Sequence, residues 1–485
     1  MRDVGRNALL GSFTTAGSGL LGFALRFGMN AVLARFLAPE LFGVYAQASV
    51  YAAVVSIIQA ISFPQALIQL PDLPALVPTV RRMTLLSGLV TVLAALGLFP
   101  LIALLKGPDV AHCFLLLLVI NALGGFGLTY ELEVQRAQRW HMAAGLKLGA
   151  NLLTVAVLIP LCAAFPSPLV LVLRDGLAPL LLMAVTLVIR RRLGLSKAPG
   201  PSFDRDTARK VWALGKALFW NRSLEILFHK IDSALVGELL GQRMLGLYDQ
   251  ARYVANLPNA ALGPVVQSVG LRLFASLDTD PTRRRRSFEL LDWGISRMVF
   301  LFSLGAIVAP DLAIRIIYGP AWLDAAPILQ VFGLWCALMP ISVNHQVLLT
   351  AAQVWRPIRV GFAAAIGTLA VALVILTPAF GVLGVALSHT LAIFAEFIVR
   401  ARGTSRLFEQ PSLSILRRPL PVLLATASGA LTGLLLRPLL PAGYGGDALS
   451  LLLGMGIMVI TLLALDHGET RQELRYMRDL IWRRS

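Results

Sequence analysis

Arg222, Glu225, His229 and Asp232 follow one another at spacings of 3, 4 and 3, which on an α-helix brings all four side chains to one face. The chain around them is strongly apolar, so this stripe has to be explained as chemistry inside hydrocarbon. A charged group at mid-bilayer costs about 2.5–3.5 kcal/mol on insertion scales, and the groups kept there face a cavity or one another. Arg222 suits an anionic ligand, whereas Glu225, His229 and Asp232 suit the uptake and release of protons or another coupling ion. Lys230 falls on a different face and is a second candidate ligand for an anion. The competing reading pairs Arg222 with Glu225 and His229 with Asp232 in a stripe that only locks helices together.

Arg26 lies about three residues past the centre of its own apolar segment, with Asn30 one turn further on. Both are candidate substrate ligands, a buried ion pair being the alternative for Arg26. Arg252 and Arg297 complete the candidate binding set, although Asp249 offers Arg252 a local partner and Arg297 is near enough to a segment end to reach the surface. Glu396, with His389 two turns earlier, is a further candidate coupling group. No Ser/His/Asp or Cys/His spacing signals catalysis, so no catalytic residue is assigned and the chain is not expected to be an enzyme. Asp204-x-Asp206 and Asp278-x-Asp280 look like the carboxylate pairs of metal-dependent sugar transferases, but they sit in short cytoplasmic loops with no domain around them and are read as helix caps or lipid-surface groups. Cys113, Cys162 and Cys336 are far apart inside apolar segments, so neither a disulfide nor a metal site is expected. With no Gly-x4-Gly-Lys-Ser/Thr loop for ATP, no cofactor is expected either.

The elements that must position these residues follow from composition. Of 485 residues 57% are hydrophobic and only 14% charged, against about a quarter charged in a soluble domain. Apolar stretches predict fourteen membrane-spanning helices near 12–34, 41–67, 83–105, 111–132, 145–165, 168–189, 214–240, 244–271, 290–316, 325–350, 358–377, 380–400, 419–437 and 448–465. The first is read as an uncleaved helix rather than a signal peptide. With both termini in the cytoplasm, cytoplasmic segments collect about 31 Lys and Arg against about four in the outer loops. The seventh span, which carries the stripe, is the weakest by hydropathy. Omitting it would turn every later basic loop outward, including the run of arginines at 283–286. That run is explained by topology and anionic lipid headgroups, and nucleic acid is not an expected partner.

An internal repeat organises the spans. Leu37-Ala-Pro-Glu-Leu-Phe-Gly43-Val-Tyr45-Ala-Gln47-Ala48 matches Leu240-Gly-Gln-Arg-Met-Leu-Gly246-Leu-Tyr248-Asp-Gln250-Ala251, with five identities at a constant offset of 203. Six spans separate the copies, so both halves enter the membrane in the same sense as parallel repeats. The expected fold is an all-α polytopic membrane protein with two six-helix lobes, 1–195 and 212–405, joined by a linker at 196–211. Two more helices and a basic tail occupy 406–485. The same offset places Arg26 and His229 at equivalent positions, one cationic or proton-binding group from each lobe, which makes His229 a candidate substrate ligand as well.

With Ala34-Arg35-Phe-Leu37, Gly43-Val-Tyr45, Ile231-Asp232, Gly237, Leu240-Gly241, Leu245-Gly246-Leu-Tyr248 and Pro258, the sequence resembles the multidrug, oligosaccharidyl-lipid and polysaccharide exporter superfamily. Within it the resemblance is to the bacterial lipid-linked oligosaccharide flippases of the Wzx type. Ile317-Tyr318-Gly319-Pro-Ala-Trp322 and Ala325-Ala326-Pro327-Ile328-Leu329 are similar to that family's turn between helices nine and ten. The resemblance implies a cation-lined cavity and alternating-access transfer of an undecaprenyl pyrophosphate-linked repeat unit across the inner membrane, for exopolysaccharide, capsule or O-antigen. It carries over only to Arg26 and the basic residues of the seventh helix. Expected partners are this lipid-linked oligosaccharide, membrane lipids and, as candidates, the polysaccharide polymerase and export machinery, with the chain itself a monomer. A drug antiporter of the same superfamily and a peptidoglycan-precursor flippase are the alternatives. Arg26, Arg222 and Lys230 count against a cationic cargo.

Overall fold

The computed structural model describes residues 2–71, 73, 75–136, 140–192, 203–277, 280–411, 419–441 and 443–465. The first part of the expected linker and the basic C-terminal tail lie outside the described residues. All regular structure among the described residues is helical. In chain order the helices are α1 (Arg2–Phe36), α2 (Pro39–Ser56), α3 (Ala66–Gln69), α4 (Leu76–Lys106), α5 (Pro108–Arg136), α6 (Trp140–Ala164), α7 (Pro168–Arg192) and α8 (Arg205–Ala255). They continue as α9 (Leu257–Val265), α10 (Leu271–Ser276), α11 (Pro281–Val308), α12 (Pro310–Ile317), α13 (Ala326–Val331), α14 (Gly333–Ala351), α15 (Trp355–Leu407), α16 (Leu420–Leu436) and α17 (Tyr444–Leu465).

Helical backbone occupies most of each of the fourteen ranges marked by the apolar stretches, the second being interrupted at Ser62, where φ is 51°. Ten described helices are long and apolar enough to cross a membrane, which makes this a multi-pass membrane protein. The outward faces support the same conclusion. On α4, Leu86 is 61% exposed, Leu93 57% and Leu104 83%, an apolar surface that only a hydrocarbon solvent tolerates. The longest two helices are broken by glycine. Gly241 in α8 has φ 84° and ψ 174°, and Gly381 in α15 has φ 55° and ψ −131°, both left-handed-side conformations that cost a residue with a Cβ more than glycine. Each helix is therefore two arms.

At the start of α8 the first residue of its Asp pair is a cap and the second an ion-pair partner. Asp204 Oδ2 accepts the Thr207 amide at 2.7 Å, and Asp206 pairs with Arg209 at 3.2 Å. Asp280 does the same for α11, accepting the Arg283 amide at 3.0 Å ahead of Pro281.

The chain forms two compact units, Met1–Asp249 and Gln250–Ser485. In the first, α4 packs on α5, α5 on α2 and α7, and α6 on α1 and α7. Its core is built on the small face of α2, where Val44, Ala48 and Ala52 recur every fourth residue against Phe114, Leu117 and Leu118 of α5 and Val172 of α7. Lipid tails are as apolar as these side chains, so close fit and interhelical hydrogen bonds, rather than exclusion of water, hold the helices together. In the second unit α14 packs on α11 and α15, and α16 packs on α11 and α17. Trp322, Tyr318 and Phe332 are fully buried there, in the segment that connects α12 to α14.

The two copies of the 203-residue repeat touch each other inside the first unit. A Cβ added to Gly43 would stand 1.8 Å from the Gln242 carbonyl oxygen, and one added to Gly246 would stand 2.0 Å from the Pro39 carbonyl oxygen. Residue 39 corresponds to 242 and residue 43 to 246, so the contact is reciprocal, as across a two-fold axis. Glu40 and Arg243, also equivalent positions, pair with each other at 2.6 Å. Gln242 donates to Gln47 at 3.1 Å, and Glu238 binds both the Tyr51 hydroxyl and the Lys106 ammonium at the end of α4.

Candidate functional site

Four helices of the first unit bring charged and polar side chains together. Asn30 on α1 is buried and accepts a hydrogen bond from Arg174 Nη1 on α7. Arg174 turns the rest of its fork onto its neighbour, with Nε donating to Asp175 Oδ1 at 2.9 Å and Nη2 donating to Oδ2 at 3.3 Å. Tyr45 on α2 donates its hydroxyl to the same Asp175 Oδ2, and its ring lies under the guanidinium, 5.1 Å from Cζ. One turn further along α2, Ser49 accepts a hydrogen bond from Lys230 Nζ on α8 at 3.0 Å. Lys230 is close enough to Asp175 for a direct electrostatic interaction. Arg26, one turn before Asn30 on α1, is exposed and makes no ion pair with a described residue. The group thus holds two cations, Arg174 and Lys230, and one carboxylate inside a set of bilayer-length helices, with Arg26 exposed one turn from Asn30 on α1, an arrangement suited to an anion.

The remaining candidates lie elsewhere. Asp232 is fully buried and accepts the Tyr248 hydroxyl at 2.6 Å and the Ser233 amide at 2.8 Å, while Ser233 donates to Asp249 at 2.8 Å. His229 is half-buried with its ring edge-on to Phe228, centroids 5.3 Å apart. The backbone of Arg222 and Glu225 is helical, but their side chains lie outside the described residues. Arg252, Arg297 and Glu396 belong to the second unit. Arg252 is half-buried near the end of α8. Arg297 donates to the Trp293 carbonyl at 3.3 Å and stacks over that indole, 4.4 Å from its centroid. Glu396 forms an ion pair with Arg400 one turn on, the two side chains only 2% and 1% exposed. Arg400 also donates to Ser342 at 3.0 Å. Nearby, His345 bonds Thr404 at 2.9 Å and Asn344 donates to Asp292 at 3.2 Å.

Sequence reasoning missed Arg174 and Asp175, the centre of the group. Adjacent residues of opposite charge read as self-neutralising. The available signal was that both sit a third of the way along an otherwise apolar span. Among the described residues no three His, Cys, Asp or Glu side chains gather as a metal ion would need.

The fold matches that of known transporters. Over 98% of this chain and all of the other, it aligns with the solved structure of the lipid II flippase MurJ in an inward closed conformation, TM-score 0.68 at 14% identity. A MOP superfamily transporter from Pyrococcus furiosus aligns over 83% of this chain and 96% of its own with TM-score 0.55 at 12% identity. In sequence, the succinoglycan biosynthesis transport protein ExoT of Rhizobium meliloti (strain 1021) is 27% identical over 332 residues, 64% of this chain and 63% of that protein. The teichuronic acid biosynthesis protein TuaB of Bacillus subtilis (strain 168) is 26% identical over 136 residues, 28% of each. The chain thus spans less than two thirds of the length of these relatives. Residues 32–327 match the family described as polysaccharide biosynthesis protein, more than half of the chain, and the protein belongs to that family.

Proposed function

We propose that this protein is a flippase that carries lipid-linked oligosaccharide repeat units across the bacterial cytoplasmic membrane for surface polysaccharide assembly. The observation that carries the reading is the placement of Arg174 and Lys230 around α2, with Arg26 one turn from the Asn30 that binds Arg174, in a set of helices with apolar outward faces. A diphosphate and its sugars cannot cross about 30 Å of hydrocarbon unaided, whereas a polyprenyl tail can remain in lipid. Cations held by Asn30, Tyr45 and Ser49 replace the water that the diphosphate gives up, and neighbouring hydroxyls and amides serve the sugars. The cargo moves without any covalent bond being made or broken. The reciprocal contact of Gly43 and Gly246 closes one end of the pathway, and alternating access requires it to open. Arg222, His229, Arg252 and Arg297 are held in reserve as further cargo ligands, and Glu225, Asp232 and Glu396 as coupling groups. The distribution of Lys and Arg supports a cytoplasmic location for both termini.

The test is a host lacking this chain with upstream sugar transfer intact. Polyprenyl diphosphate oligosaccharide should accumulate in extracted lipid while surface polymer is lost, and wild-type chain but not Arg26→Ala or Arg174→Gln should restore it. Normal polymer with no accumulated intermediate, in a host with no second such protein, would refute the reading.

A further inference from the structure

Two of the arginine–carboxylate pairs among the described residues, Arg400–Glu396 and Arg174–Asp175, differ in one respect that bears on function. Arg400 and Glu396 are sealed, at 1% and 2% side-chain exposure. Arg174 and Asp175 are open: the guanidinium is 15% exposed, but the carboxylate is 46% exposed. A pair kept only to hold helices together is expected to look like the first. In the second, the arginine is anchored from behind by Asn30 and by the Tyr45 ring, so it would keep its place if Asp175 moved away. The carboxylate itself meets two Arg174 donors, the Tyr45 hydroxyl and the field of Lys230. This is an anion site whose anion belongs to the protein.

We infer that Asp175 is a built-in counter-anion that competes with the cargo for Arg174 and Lys230, and so selects a diphosphate over the phosphodiester headgroups of the surrounding membrane. The inference rests on the flippase reading given above. A carboxylate and a phosphate oxygen pair match the arginine fork equally well, so the competition is decided by charge. A phosphodiester headgroup carries one negative charge, as Asp175 does, and gains nothing by displacing it. A diphosphate ester carries more charge and more oxygens, engages Arg174, Lys230 and the Tyr45 hydroxyl together, and releases the carboxylate towards its exposed side. Bilayer lipid vastly outnumbers a polyprenyl-linked intermediate, and a bare cationic site among these helices would fill with headgroups. The carboxylate lowers affinity for every anion and thereby leaves only the more highly charged one able to bind.

The experiment uses the full chain in nanodiscs, with farnesyl diphosphate as probe, in phosphatidylcholine alone or mixed with phosphatidylglycerol. Wild type should bind the probe equally in both lipids. Asp175→Asn, which keeps the side-chain shape and a hydrogen bond to Arg174, should bind about tenfold tighter in phosphatidylcholine, the worth of one charge-assisted hydrogen bond. It should lose that gain when phosphatidylglycerol is present. Arg174→Gln should bind at least tenfold more weakly, and adding Asp175→Asn to it should restore nothing. Tighter binding confined to the variant with Arg174 intact supports the inference. Unchanged or weaker binding by monodisperse Asp175→Asn overturns it, as does an equal gain in the Arg174→Gln background. Should wild type export normally but show no affinity for farnesyl diphosphate, the inference fails while the flippase reading stands. The lipid-accumulation assay in the deletion host decides that reading separately.

Discussion

Substituting Gly43→Ala tests whether the reciprocal contact between the repeat copies controls the conformation. The added methyl would lie 1.8 Å from the Gln242 carbonyl oxygen. A tolerable carbon–oxygen contact is about 3.3 Å, so the start of α2 and the second arm of α8 must part by about 1.5 Å. Both partners are backbone in helices, so no flexible side-chain end can yield. Overpacking of this kind costs about 1–3 kcal/mol, which lowers the closed population relative to the open one by about 5- to 150-fold. Separation also strains the Gln242–Gln47 hydrogen bond and the Glu40–Arg243 pair. Spin labels at Glu40→Cys and Arg243→Cys, in a chain freed of Cys113, Cys162 and Cys336, report the change as a shift from short to long distances. Gly246→Ala should act in the same direction because its methyl meets the Pro39 carbonyl at 2.0 Å, and the double variant should add little since one displacement relieves both clashes. Gly97→Ala, at a position with open space, is the control. Unchanged distances in Gly43→Ala and Gly246→Ala, with normal export, would refute the reasoning.

Three further outcomes are expected. Reversing the exposed Glu40–Arg243 pair, as Glu40→Arg with Arg243→Glu, should restore whatever either single change loses, with effects of at most about 1 kcal/mol by thermal unfolding. The sealed pair should behave differently: Glu396→Gln or Arg400→Gln alone should destabilise by about 3–5 kcal/mol, while Glu396→Met with Arg400→Met should approach wild-type stability, measured by unfolding in detergent. Hydrogen bonds from the Thr207 hydroxyl and amide hold the Asp204 carboxyl below the usual carboxylate range. Its contribution to the α8 cap is therefore complete above the unfolded value of about 3.9 and fades as pH falls through the lower folded value. Hydrogen-exchange protection of the Thr207 amide should fall with acid in that window, and Asp204→Asn should flatten the profile.

Most of the helical framework was legible because a bilayer imposes a simple code of apolar length and flanking charge. Even α8, which falls short on hydropathy, was required by the basic residues that follow it. The repeat at Gly43 and Gly246 was legible as an offset, but not as a contact, since five identities say nothing about which backbones meet. The candidate site was legible only in part. Arg26, Asn30 and Lys230 stood out as polar groups in apolar segments, yet their companions did not. Arg174 and Asp175 are neighbours in sequence and hid each other's charge, and Tyr45 and Ser49 are ordinary residues on the α2 face until α7 and α8 approach them. The 3, 4, 3 spacing placed Asp232 on a face with His229 but could not supply Tyr248, which takes its carboxylate. Spacing reports a helix's own face, whereas a site drawn from four helices depends on tertiary packing.

The pairing of Glu40 with Arg243 also bears on how such a chain can arise. Equivalent residues that meet at a two-fold axis face their own kind in any dimer of identical half-chains, so a glutamate there would confront a glutamate. Only after two copies are fused into one gene can the positions drift apart and become acid and base. The ion pair at 2.6 Å is thus a gain that duplication followed by divergence allows and symmetry forbids. A chain rebuilt from two copies of its first half would set Glu40 against itself and favour the parted state at this end.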